Sequence, residues 1–439
     1  MDEICWPVNI SYKDKAAVPS WPVNSVPRID SLAGIECYCT DFECIGGSIK
    51  QDSSGFKVSE LVDDSLVSNI SSNFGESGRY PLYILEKRNI DSNHAVLEIE
   101  REKQIRLRVL GIKDAKAVTK QYASLEREWR NPPAELNTQH TRLVLQGFTK
   151  RPLGREFLVG NEFEIEIHGC KKSDIDSFIP QIGRIGNFYG LQRFGSERLV
   201  THLVGKAIVK RDFKKAIHLL LCYTTEYDSK TSREIREQCQ DPANYKQLLR
   251  TIPRGMDIER QILSALVAGK DPISALRAVP ITIRRLFVQA YQSHIFNRCI
   301  SRIIAEGQDI VKPSAGDLCF EMEGPSIFGR VIKYDASSQK LMVPAVRMAG
   351  YTFQAGKGRF ETLTKSLMEQ ENLVPKDFYI KEMQELSQQG GFRQAPLWCR
   401  DFTYSKDPLT VSFKLPKGSY ATILLRELLK PTDPIAAGF

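Results

Sequence analysis

No stretch of this chain approaches the roughly 18 consecutive apolar residues of a membrane-spanning helix, so a helical membrane protein is not expected. Its six histidines form no His-x-x-x-His pair and no cluster, and no Gly-x-Ser-x-Gly elbow occurs. The common zinc-hydrolase and serine-hydrolase layouts are therefore missing. Gly356-Lys357-Gly358 looks like the end of a phosphate loop. The upstream Gly350 is one residue too far away, however, and Gly358 stands where Ser or Thr should hold magnesium. Cysteine offers little more. Of the ten, only Cys37, Cys39 and Cys44 cluster, with no fourth ligand nearby. No metal is expected, and the thiols are expected to be reduced. The acidic start, Met1 to Cys5, lacks the basic residues and apolar core of a secretory signal, so a cytoplasmic location is expected. Internal repeats and low-complexity blocks are also missing.

What is present fits a globular chain. At 439 residues, 42% hydrophobic and 26% charged, it has room for two or three domains and a sizeable core. Lys and Arg number 61 against 53 Asp and Glu, a net charge of +8 that permits an RNA or other polyanionic partner without establishing one.

Residues 1–45, with Pro7, Pro19, Pro22 and Pro27, read as an irregular lead-in. From Phe56 to Ile167 short β-rich runs follow. Tyr80–Glu86 and Ala95–Ile99 are strand candidates, and Ile105–Leu110, Thr141–Phe148 and Glu162–Ile167 alternate as half-buried strands should. Ile175, Phe178, Ile179 and Ile182 mark a helical stripe that contains Pro180. Helical spacing dominates from Glu197 to Ile304, including Phe287–Ile304, where His294 reads as an ordinary helix residue. Residues 310–360 are mixed, and Gln388 to Gly391 look like a linker. The tail gives a strand at Val411–Leu415, a turn at Pro416-Lys417-Gly418 and a helix over Ser419–Lys430. Too short to stand alone, the tail should complete the first part's sheet, leaving the helical middle as an insertion. The expected class is α+β.

Two stretches carry chemistry. In Gly111-Ile112-Lys113-Asp114-Ala115-Lys116 one carboxylate sits among lysines after a basic strand; by itself this is also what a charged turn looks like. In Asn187-Phe188-Tyr189-Gly190-Leu191-Gln192-Arg193-Phe194-Gly195 aromatics accompany Arg and Gln, as in an RNA-facing loop or a core edge. Read together, Gly-x-Lys-Asp-x-x-Ala-Val-Thr-x-Gln and Asn-x-x-Gly-x-Gln-Arg-Phe-Gly resemble the TruD family of tRNA pseudouridine synthases. Four more motifs follow the family's order. They are Phe56-x-Val58-x-Glu60 with Lys50 upstream, Gly160-Asn161-Glu162-Phe163, Tyr291-Gln292-Ser293 with Phe296-Asn297, and Leu415-Pro416-Lys417-Gly418-Ser419-Tyr420-Ala421-Thr422. Phe188-Tyr189 reverses the commoner Tyr-Phe order. The resemblance spans Lys50 to Lys430; residues 1–45 and their cysteines fall outside it.

The resemblance implies a pseudouridine synthase catalytic domain, a mixed sheet with flanking helices, over residues 46–190 and 391–439. A helix-rich TruD-specific insert would fill 191–390. It implies isomerisation of uridine to pseudouridine, usually at position 13 of tRNA, with other RNAs among the substrates of eukaryotic relatives. No cofactor is needed, because the reaction is redox-neutral. One ionised carboxylate must act near ribose C1′, as a nucleophile or by taking the C2′ proton. Asp114 stands at the family's catalytic position, and Lys50 at that of a cationic partner that keeps it charged. Phe56, Asn161 and Tyr420 stand at substrate-contacting positions around a base that must leave its stack. Phe163 is a packing residue on either reading. RNA-contact candidates are Arg193, Lys417 and the basic run Lys206, Lys210, Arg211, Lys214 and Lys215, expected on one short helical run, in which Lys210 and Lys214 are the test positions. The alternatives are an RNA-binding protein without turnover, which would not need Asp114, and a nucleoside glycosidase, which lacks a second well-placed carboxylate.

Overall fold

The computed structural model describes residues 26–75, 77–171, 175–324 and 327–439. After α1 (Arg28–Leu32) come β1 (Phe56–Val62), α2 (Asp64–Ser68), β2 (Tyr80–Arg88), α3 (Ser92–Lys103) and β3 (Leu107–Val109). β4 (Val118–Leu125), β5 (Glu135–Asn137), β6 (Thr141–Thr149) and β7 (Leu158–Glu166) complete the first part. A helical stretch follows, with α4 (Thr201–Val209), α5 (Phe213–Cys222), α6 (Lys230–Gln238), α7 (Tyr245–Thr251), α8 (Asp257–Val267), α9 (Pro272–Arg277) and α10 (Ile281–Ala305). Then come β8 (Leu318–Gly324), β9 (Ile327–Lys333), β10 (Met342–Met348), α11 (Arg359–Gln370) and β11 (Gly391–Gln394). The chain closes with β12 (Arg400–Lys406), β13 (Leu409–Pro416) and α12 (Ala421–Leu429). Among the described residues no helix is long and apolar enough to cross a membrane.

The strands make two sheets. The larger has the order β12-β13-β7-β1-β4-β2-β6-β5, with β3 paired to β4. It is mixed: β1 runs parallel to β4 and antiparallel to β7. The tail strand β13 pairs with β7, so the end of the chain completes the sheet begun at β1. The smaller sheet has the order β11-β10-β8-β9. Residues 391–394, expected at the return to the first sheet, instead pair with Ala345–Met348 of β10; the large sheet resumes at β12.

Register decides which side chains meet. Phe56, Val58 and Glu60 on β1 face the same way as Asn161, Phe163 and Ile165 on β7. Val411, Phe413 and Leu415 on β13 extend that face, and Phe163 stacks on Phe413 at 5.3 Å. Leu424, Leu425 and Leu428 of α12 pack into this cluster. Farther along, Ile99 of α3 packs on Tyr83, Leu85 and Ala123.

Three local expectations fail. Ala95–Ile99 lies inside α3, not in a strand. Asp91 caps this helix by accepting from the backbone N–H groups of Asn93 and His94, and Ala95 and Ile99 are its buried stripe at helical spacing. The stripe around Pro180 breaks into two short 3₁₀ segments, Ile175–Ser177 and Ile179–Arg184. The basic run after Lys206 is no single helix face. α4 stops at Val209, Arg211 takes a left-handed φ of 63°, and Asp212 caps the next helix.

Residues 26–45 cross the core. Asp30 pairs with Arg426 at 2.6 Å, and Glu427 accepts from the backbone of Cys39 and Thr40. Of the clustered cysteines, Cys37 and Cys39 are buried packing groups and Cys44 is exposed. Cys39 accepts a hydrogen bond from the Gly186 N–H, and burial pushes the Cys37 thiol up to about 12. Among the described residues no group of three or more His, Cys, Asp or Glu is arranged to hold a metal. Pro7, Pro19, Pro22 and Cys5 lie outside the described residues.

Candidate active site

Above the apolar face of the large sheet the central strands turn polar. Glu60, Gln121 and Asn161 form a buried or half-buried band where β1, β4 and β7 run side by side. Glu60 is its hub. It accepts from the Gly111 N–H at 3.0 Å, Lys113 Nζ at 2.9 Å, Gln121 Nε2 at 3.3 Å and the Tyr122 N–H at 2.9 Å. Gly111 leaves room for this approach, since a Cβ there would sit 3.0 Å from Glu60 Oε1. Ser92, at the start of α3, accepts from the Lys113 N–H at 2.9 Å and donates to Gln121 at 2.7 Å. The loop between β3 and β4 is thus fastened on both sides of Ile112 before it reaches Asp114.

Asp114 is fastened in turn. Its carbonyl accepts from Lys87 Nζ at 2.7 Å, while its side chain, 41% exposed, stays open to solvent. One carboxylate oxygen faces Lys50 Nζ at 3.9 Å; the other accepts from the Gln192 amide. Lys50 sits in the left-handed region at φ 58°, an unusual conformation for a side chain of this kind. The tail holds it there, with the Ile49 N–H donating to the Ala437 carbonyl at 2.9 Å. Its ammonium lies 4.8 Å from the Phe56 ring centroid. Burial pulls the Lys50 ammonium below its usual range, Asp114 opposes that shift, and Lys116 adds to it.

Tyr420 precedes α12, and its ring lies 6.0 Å from that of Tyr189. A Cβ on Gly190, two residues before Gln192, would sit 3.1 Å from the Tyr420 ring, so Tyr420 borders the loop that reaches Asp114. Burial pushes its phenol up, against the pull of Arg193 and Arg393. Asn161 faces Glu60 on β1 and Leu415 on β13, and its buried Oδ1 has no partner among the described residues. A buried amide oxygen left unmatched is costly unless a ligand supplies the donor.

The structure therefore brings together Asp114, Lys50, Phe56 and Tyr420, with Asn161 on the strand beside Glu60. The RNA candidates separate. Arg193 is tied to α10, donating to Ser293 at 3.1 Å and to Gln289 at 3.4 Å. Lys206 pairs with Glu371 at 2.5 Å, Lys210 lies 3.9 Å from the same carboxylate, and Arg211 pairs with Glu382 at 3.1 Å. Lys214 and Lys215 are exposed, and Lys417 projects from the turn before α12. His294 of α10 stacks on His202 of α4 at 4.7 Å.

Sequence reasoning missed four supporting residues: Glu60, Lys87, Gln121 and Gln192. Glu60, Gln121 and Gln192 stood inside quoted motifs, and for the strand residues Glu60 and Gln121 the signal was available, because polar residues alternating inward need buried partners. Gln192 is exposed on a 3₁₀ turn and gave no such signal. Lys87 gave none, because its partners are backbone carbonyls. It is 2% exposed, and burial pulls its ammonium down to about 8, against the pull of Asp114 and Asp91. Between about 8 and its unfolded value the unfolded chain keeps a proton that the fold has shed, so stability should rise with pH there. The Lys87 contribution should approach a slope of ~1.4 kcal/mol per pH unit. Urea midpoints of wild type and Lys87→Met at pH 7.5 and 9.5 check this: the gap between the two proteins should change with pH, and a constant gap would refute it.

The sequence profile of the family described as "tRNA pseudouridine synthase D (TruD)" matches residues 32–428. A "Probable tRNA pseudouridine synthase D" of Pyrobaculum neutrophilum is 32% identical over 424 residues, covering 94% of this chain and 99% of that protein. Another from Methanopyrus kandleri is 34% identical over 367 residues, covering 81% and 87%. The crystal structure of a putative tRNA pseudouridine synthase D from Methanosarcina mazei superposes with a TM-score of 0.75 at 27% identity, covering 93% of this chain and 99% of that one.

Proposed function

Because this chain belongs to the TruD family of tRNA pseudouridine synthases and so converts uridine in tRNA to pseudouridine, we propose that it acts at position 13 and that Asp114 is the carboxylate responsible. The observation that carries the assignment is the carboxylate held between Lys50 and Gln192 on a fastened loop yet open to solvent. In the reaction the N1–C1′ bond breaks, the uracil turns, and C5 bonds to C1′. C5 gives up its proton and N1 ends protonated, so atoms and charge balance. Asp114 attacks C1′ or takes the C2′ proton in the first step. Lys50 keeps it ionised and aimed. Asn161 Oδ1 would accept from the N–H edge of the flipped base, and Phe56 and Tyr420 would confine its ring.

We take the large-sheet segments as the catalytic unit and the helices and small sheet between them as the RNA-binding insert. Other RNAs that present an accessible uridine would be further substrates, and a cytoplasmic location goes with a tRNA substrate. Transcripts carrying C5-tritiated uridine test the position. Tritium should be released from normal tRNA and retained when uridine 13 is replaced by cytidine; equal release from both rejects position 13.

The exposed Lys417, beside Tyr420, supplies a phosphate contact in this reading. Lys417→Ala should weaken tRNA binding and reduce the log–log salt slope by roughly one unit. Lys206→Ala should leave the slope alone, because that lysine is spent on Glu371. Titrations across a salt series decide, and an unchanged slope in Lys417→Ala means the RNA backbone runs elsewhere.

A further inference from the structure

Arg393, on β11 of the small sheet, is only 7% exposed, yet the acceptors it takes are neutral. Burying a guanidinium is costly, and a carboxylate partner is the usual remedy. Here all three nitrogens are engaged by two chain segments. Nε donates to the Asn187 carbonyl at 3.0 Å, and one terminal nitrogen reaches the Asn187 side-chain oxygen at 3.0 Å and the Phe188 carbonyl at 3.4 Å. The other terminal nitrogen donates to the Gly418 carbonyl at 2.9 Å. The plane lies 3.9 Å from the Tyr189 ring centroid, and Phe296 lies 5.4 Å away.

Those two segments lead straight to the candidate chemistry. Asn187 and Phe188 open the loop that ends in Gln192, which donates to Asp114. Gly418 is two residues before Tyr420, at a φ of 85° that favours glycine. From the far side of the loop, Asn297 of α10 accepts from the Tyr189 N–H at 2.8 Å and donates to the Tyr189 carbonyl at 3.0 Å. One face of the loop is therefore held by α10, and the gap between loop and turn is bridged by Arg393.

We propose that Arg393 is a positioning residue for the isomerisation: it sets the spacing between the Asn187–Gln192 loop and the Gly418–Tyr420 turn, so that Gln192 and Tyr420 meet Asp114 correctly. Lysine cannot replace it, since a point charge on a flexible stem cannot hold the acceptors of two segments in one plane. The inference rests on the assignment of Asp114 and adds a residue that touches neither substrate nor reacting atoms.

The test is a double-mutant cycle on the single-turnover rate at saturating tRNA, using Arg393→Lys and Gln192→Ala, with tRNA affinity and melting temperature measured alongside. Arg393→Lys should slow the rate per folded molecule ~30-fold or more while Kd stays within ~3-fold, a loss confined to the chemical step. Adding Gln192→Ala should cost little beyond the larger single loss, because both changes release the same loop. Losses that multiply, or a rate per folded molecule equal to wild type, overturn the proposal and leave Arg393 a stabilising strut. If Arg393→Lys does not fold, the same cycle is run with Asn187→Ala, which removes one of its acceptors; multiplicative losses there overturn it equally. A wild-type protein that forms no pseudouridine defeats the Asp114 assignment instead, so the two failures are distinguishable.

Discussion

Asp114→Asn should form no detectable pseudouridine while binding tRNA within a few-fold of wild type. The amide has nearly the same shape and can still contact Gln192. It can neither attack C1′ nor accept the C2′ proton, and it offers Lys50 no charge. The loss should be ~1,000-fold or more in single-turnover rate, the scale of removing a reacting group and not a neighbour. Binding should survive because phosphate contacts, which supply most of the affinity for nucleic acid, lie elsewhere. Turnover above a tenth of wild type removes Asp114 from the chemistry.

Glu60→Ala should damage both fold and rate. The side chain is fully buried and pairs with Lys113, itself only 10% exposed at the side chain. Deleting one partner strands the other charge along with the N–H groups of Gly111 and Tyr122. Such a deletion typically costs about 3–5 kcal/mol. Urea denaturation should show a loss of that size. The fraction that remains folded should turn over slowly, since the loop carrying Asp114 loses its anchor at Gly111. Glu60→Gln keeps one acceptor oxygen and should fall between. A Glu60→Ala protein with wild-type stability would mean that water replaces the hub, and the loop would need another explanation.

How much of this was legible in the chain depends on how local each feature is. The loop around Asp114 and the turn around Gly418 stood out because short motifs there resemble those of the TruD family; the Asp114 fragment alone also fits a charged turn. That the tail completes the first sheet followed from its being too short to stand alone, and β13 does pair with β7. Ala95–Ile99 misled because a five-residue window cannot separate alternation from a helical stripe; the Asp91 cap was the better signal. The basic run looked like one surface because charge density hides a helix break. In three dimensions Lys206 and Arg211 turn to Glu371 and Glu382, residues far along the chain. The supporting shell was hardest to see. Lys87, Gln192 and Arg393 act through partners 27, 78 and 206 positions away, and no spacing rule reaches that far. Residues 26–45 looked like a lead-in for the same reason: their partners, Asn297, Ser301, Arg426 and Glu427, lie 264 or more positions away.

The most direct measurement is to incubate unmodified tRNA with the purified protein and map pseudouridine at single-nucleotide resolution, with wild type and Asp114→Asn in parallel. One new pseudouridine, at position 13 and only with wild type, is the predicted result. A tRNA left unmodified by wild type, or modified alike by both proteins, would contradict it.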